Sequence, residues 1–121
     1  MFDKEEAMKY ALLVYSTPGS HDLPEAQFAA VMRDYEALRD EPGFVDSAQL
    51  HAPDMATTVR AADGETLMTD GPFADTKEVF GGYYVFDVPD LDTALGIARR
   101  IPVLGLGGAV EVRPVIGAVE S

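Results

Sequence analysis

The sequence predicts a single α+β domain whose main elements run strand, helix, strand, strand, helix, strand, with a β-hairpin inserted before the third main strand. Three observations carry this expectation. Short apolar runs of strand length alternate with two stretches of helical periodicity. Gly, Pro and Asp-Gly punctuation separates them. The chain has 121 residues, which is room for one domain and no more.

Each element has its own local reason. Tyr10 to Tyr15 is an apolar run closed by the turn formers of Ser16-Thr-Pro-Gly-Ser20, and reads as a strand buried on both faces. Asp22-Leu23-Pro24-Glu25 looks like a helix start, with a capping side chain, proline in the first turn and glutamate three residues after the cap. Phe28, Val31, Met32, Tyr35 and Leu38 then make one apolar stripe, and Pro42-Gly43 stops the helix. Phe44 to Leu50 reads as a second strand with mixed faces. Thr57–Arg60 and Thr66–Thr69 flank Asp63-Gly64, a strong hairpin signal. Phe80 to Val88 is a third main strand, apolar on both faces. Asp90 is placed to cap a second helix striped by Leu91, Ala94, Leu95, Ala98 and Ile101, ended by Pro102. Gly105 to Gly108 reads as a loop, and Ala109 to Val115 as the last strand.

With the hairpin set aside, this order is the split βαβ pattern of the ferredoxin-like fold. That topology centres the first and third main strands, which are the most apolar. It leaves at an edge the last strand, which carries charges and Pro114. The domain is expected over residues 9–116, with an extension at 1–8 and a tail at 117–121. Two helices cover only one face of the sheet, yet the central strands are apolar on both. The simplest cover for the second face is another copy packed sheet to sheet, so a homodimer is expected.

Bulk composition narrows the function classes. A net charge of −12 opposes direct binding to nucleic acid or to an anionic membrane, both of which need Lys and Arg. There is no cysteine, which removes disulfides, thiolate metal sites and thiol nucleophiles. No signal-peptide pattern and no apolar stretch of membrane-spanning length occurs, and a cytoplasmic location is expected. The two histidines, His21 and His51, lack the spacing of a metal site, and no motif points to a cofactor.

The densest cluster of turn formers and charges is Thr69-Asp-Gly-Pro-Phe-Ala-Asp-Thr-Lys-Glu78. An aspartate in such a turn ordinarily bonds the amide two residues on, but here that residue is Pro72, which has no N–H. Asp70 therefore needs a partner elsewhere: the Phe73 amide, a neighbouring threonine, Lys77 or Arg60, or a ligand. Either the turn locks the hairpin, with Phe73 as a hydrophobic plug, or Asp70 is part of a pocket wall. His51, ending the second strand, is either an exposed loop residue or a general base. Arg60 is either a solvated strand residue or an anchor for Asp70 or an anion. Tyr15 and Tyr83 read as core or interface aromatics that also border the expected pocket.

The runs Ala56–Arg60, Thr69–Glu78, Gly81-Gly-Tyr-Tyr84 and Val110–Pro114 resemble the DGPF subfamily of the YCII-related proteins, over about Met8 to Pro114. The resemblance implies a dimeric ferredoxin-like α+β barrel and a pocket with a His–Asp pair. No histidine lies between Phe28 and Leu38, where such a pair would draw one, which leaves Asp70 with His51. It also implies an alternative, a non-enzymatic regulatory module linked through protein contacts to an extracytoplasmic-function sigma factor. The leading expectation is a small-molecule pocket between sheet and hairpin, lined by Tyr15, His51, Arg60, Asp70 and Phe73, with Lys77 and Tyr83 as further ligand contacts. Acid–base or lyase-type chemistry on a small polar or aromatic molecule fits it, with His51 as base and Asp70 orienting it.

Overall fold

The computed structural model describes residues 8–17, 22–73 and 77–116. Four strands, β1 (Met8–Ser16), β2 (Phe44–Gln49), β5 (Val79–Val88) and β6 (Ala109–Pro114), form one antiparallel sheet in the order β2-β5-β1-β6. The helices are α1 (Glu25–Ala37) and α2 (Leu91–Ala98), and β3 (Thr57–Ala62) pairs with β4 (Glu65–Asp70) as a separate hairpin. This is the ferredoxin-like arrangement, with the two most apolar strands in the centre.

The core lies on one face of the sheet. Tyr10, Leu12 and Val14 of β1 and Tyr84, Phe86 and Val88 of β5 are buried there, packed with Ala94, Ile97 and Ala98 of α2 and with Leu38, Ile101 and Val103. Leu12 and Phe86 have no exposed surface, and burial of such a side chain stabilises by about 1.5–3 kcal/mol. On the opposite face Ala11, Leu13, Tyr15, Tyr83 and Val85 are only half-buried. Both central strands are apolar on both faces, as expected, but within one chain only one of those faces is buried. The reason is layer count: both helices take the same side, and the hairpin packs essentially on itself.

The helix ends depart from expectation in instructive ways. Asp22 does not cap α1; the N-cap is Pro24, with no side-chain bond, and the Phe28 N–H donates to the Pro24 carbonyl at 2.8 Å. Asp90 caps α2 as expected, accepting from the Thr93 N–H at 2.8 Å and from its hydroxyl at 2.7 Å. That helix stops at Ala98 rather than running on to Ile101, because the next bonds tighten: Arg100 N–H donates to Ile97 and Ile101 N–H to Ala98. The tight turn still buries Ile101, and a second one, Pro102–Leu106, buries Val103 and takes in the first two residues of the loop expected at Gly105–Gly108. Among the described residues no helix is long and apolar enough to cross a membrane.

Candidate functional site

Helix α1 is unusual for a ferredoxin-like layer because none of its residues is buried. Its stripe, Phe28, Val31, Met32 and Tyr35, instead roofs a cavity of about 570 Å³ over the sheet. The floor is Val14, Gly82 and Tyr84, which are buried, with Val103 alongside. Exposed residues at the end of β2 and beyond it, Gln49, Leu50, His51 and Ala52, form the mouth, and Arg39 and Glu36 border another part of the rim. The wall explains the void. Gly82, in the row of Tyr84 and Phe86, contributes no side chain where the stripe of α1 faces the sheet. Any Cβ on Gly82 would lie 2.6 Å from the Ala48 carbonyl oxygen, so the β2–β5 pairing itself requires glycine there.

A polar bond ties roof to floor. The Tyr84 hydroxyl donates to the main-chain carbonyl of Tyr35 in the last turn of α1 at 2.6 Å. Burial pushes the Tyr84 hydroxyl up to about 12, with the neighbouring Tyr35 a lesser cause, and burial also raises Tyr35.

The expected site residues fall into three groups. His51 and Tyr83 border the cavity, although the register of Tyr83 with Leu13 and Ala48 aligns its row with the open face of the sheet. Arg60, Asp70 and Phe73 belong to the hairpin and its turn, outside the cavity lining; the Arg60 guanidinium lies over the Phe73 ring at 4.8 Å from its centroid. Lys77 is exposed and lies outside the lining as well. Tyr15 sits on the open face, its ring 5.6 Å from that of Phe80 and its hydroxyl donating to Glu111 at 3.3 Å. Loss of hydration, then the Glu111 carboxylate, raises the Tyr15 hydroxyl, while Arg113, bonded to Glu111 at 3.0 Å, holds that carboxylate low. The cavity thus lies under α1, not between sheet and hairpin.

The turn after β4 is held through Gly71. Its N–H donates to the Ala56 carbonyl at 2.7 Å, and its carbonyl accepts from the Thr58 hydroxyl at 2.7 Å. Gly71 has φ of 109°, a conformation that suits glycine alone. Neither bond involves Asp70, whose backbone pairs with Thr57 and whose carboxylate meets no hydrogen-bond or ion-pair partner among the described residues. His21, Ala74, Asp75 and Thr76 lie outside the described residues.

Comparison with known proteins fits this architecture. A model of the YCII-related domain matches residues 8–118. The chain belongs to the YCII-related domain family. It is also 36% identical over 115 residues to an uncharacterised protein of Rhizobium meliloti (strain 1021), covering 88% of this chain and 91% of that one. In this YCII-related domain the residues that sequence reasoning missed are the cavity formers: Phe28, Met32, Tyr35, Arg39, Gln49 and Tyr84. Their stripe read as ordinary core. The available signal was Gly82 in the most apolar strand, which leaves a helix stripe with nothing to pack on.

Proposed function

We propose that this chain is a YCII-related domain of the DGPF kind that binds a small molecule in the cavity under α1. The observation that carries the proposal is the standoff between an apolar helix stripe and a glycine-containing wall. A void of about 570 Å³ between them is within the range of small-ligand sites and is lined mainly by apolar and aromatic groups. The ligand that suits it has a flat apolar body, held among Phe28, Met32, Tyr35 and Tyr84, and a polar end at the mouth. Gln49 and His51 supply hydrogen bonds there. In the catalytic form of the proposal His51 is the general base toward that polar end; Asp70, outside the cavity lining and not bonded to His51, takes no part in it.

A small aromatic alcohol, 2-naphthol, is a suitable probe, because the chain has no tryptophan to obscure its fluorescence. Saturable binding is expected, lost in Met32→Trp, which fills the cavity, and weakened in His51→Ala. A crystal soaked with the probe gives the decisive view: density outside the α1 cavity overturns the proposal. The same reading places a second copy against the half-exposed face of the sheet, giving a homodimer, which sedimentation at micromolar concentration tests; a monomer there refutes it.

A further inference from the structure

The cavity under α1 has a charged rim as well as a polar mouth. Among the described residues its lining holds one guanidinium, Arg39, and one carboxylate, Glu36. The chain as a whole carries 21 acidic against 9 basic residues, so this even balance is a local departure from an acidic protein. Arg39 is carried on the tight turn Leu38–Asp40 that follows α1. Leu38, 4% exposed, seats that turn in the core.

Register fixes where Arg39 stands along the cavity. Ser47 of β2 lies opposite Tyr84 and Gln49 opposite Gly82, with His51 two residues further on. The Tyr84 hydroxyl reaches the Tyr35 carbonyl, and Arg39 follows Tyr35 by about one helical turn. Burial and Tyr35 are the larger causes of the raised Tyr84 hydroxyl, but it also feels Arg39, which lowers it, and Glu36, which raises it. Both charges therefore stand at the Tyr84 level, and His51 stands at the other end. Ser47 to His51 spans at most about 14 Å of extended chain, which sets the length of a ligand that touches both ends.

Arg39 is also loosely engaged. Its contact with Glu36 is 3.9 Å, against 2.8 Å for Arg100–Glu41 and 3.0 Å for Arg113–Glu111. An exposed pair at that separation contributes little. Among the described residues no hydrogen bond occupies this guanidinium, whose planar fork of N–H donors matches a carboxylate. The net charge of −12 repels an anion at a distance, but physiological salt screens that field beyond about 8 Å, and the nearest charge decides. A ligand cation has less to gain, because Glu36 is the more exposed partner, 74% against 56%. We infer, resting on the small-molecule reading above, that the ligand is an elongated aromatic acid, its carboxylate on Arg39 and its other polar end at Gln49 and His51.

Fluorescence titration of the full chain at pH 7 tests this with a matched pair, 6-hydroxy-2-naphthoate and its methyl ester. The acid is expected to bind about tenfold tighter or more, the margin of charge-assisted over neutral hydrogen bonds. Arg39→Gln removes that margin and brings the acid down to the ester, whereas Arg39→Lys, a charge without the fork, keeps part of it. Glu36→Gln frees the guanidinium and tightens the acid. Arg33→Gln makes the same change of charge on the same helix, outside the lining, and leaves the margin intact. An ester that binds as tightly as the acid overturns the inference, as does a margin that survives Arg39→Gln. Tighter binding of the corresponding amine, 6-(aminomethyl)-2-naphthol, overturns it too. Failure of the cavity reading is separate: Met32→Trp that still binds the ester sinks the cavity, whatever the margin of the acid.

Discussion

Replacing Tyr84 by phenylalanine cuts a hydrogen bond that ties α1 to the sheet and leaves the ring in place. The hydroxyl donates to Tyr35 at 2.6 Å, and the Tyr35 carbonyl keeps a second partner in the Leu38 N–H. The loss at neutral pH is therefore that of one ordinary hydrogen bond, about 1 kcal/mol. For 121 residues the unfolding entropy near the midpoint is about 0.25 kcal/mol/K, so Tm falls by about 4 °C. Alkaline pH reverses the order. The Tyr84 hydroxyl titrates near 12 in the fold, against an ordinary value of 10.0. The folded state thus holds its proton more tightly, and the resulting stability is complete below pH 10 and lost as pH rises toward 12. Full titration of that hydroxyl removes at most about 2.7 kcal/mol from the wild type, a loss that the variant does not share. The two stability curves cross at about pH 10.7, where the titration loss reaches the 1 kcal/mol of the bond. Urea unfolding from pH 7 to 11.5 measures both curves. Parallel curves without a crossing refute the assignment of Tyr84 as a buried, hydrogen-bonded tether.

Three further outcomes follow from the packing. Gly82→Ala drives a Cβ to 2.6 Å from the Ala48 carbonyl in the paired strand and is expected to cost about 1–3 kcal/mol in urea unfolding. Wild-type stability in that variant refutes the close β2–β5 approach. Leu12→Ala, at a side chain with no exposed surface, is expected to cost about 2–5 kcal/mol, while Leu67→Ala on the exposed hairpin leaves the stability of the monomeric chain nearly unchanged. Asp90→Ala removes the cap of α2 and lowers Tm. Because its bonds to Thr93 hold the Asp90 carboxyl below its ordinary value, that contribution is present at neutral pH and fades as pH falls through the lowered value. Equal losses at pH 7 and pH 2 count against the cap.

Local chemistry in the sequence determined the elements and their order. Asp90 capping, the Asp63-Gly64 turn, the two-faced apolar strands and the stripe of α1 are each written within about ten residues, so the split βαβ order and the central strands follow from them. What only the tertiary structure decided is distance. Periodicity tells which side of α1 faces the sheet but not how closely it approaches, and Gly82 opposite it turns a predicted core into a cavity. The lock on the turn at Gly71 uses Thr58 and Ala56, more than ten residues away, partners that no local pattern names. The second apolar face of the sheet was legible as apolar; that it stays half-exposed within one chain became clear only when both helices fell on the same side. Sequence fixes which groups want burial, and long-range packing decides which of them find it.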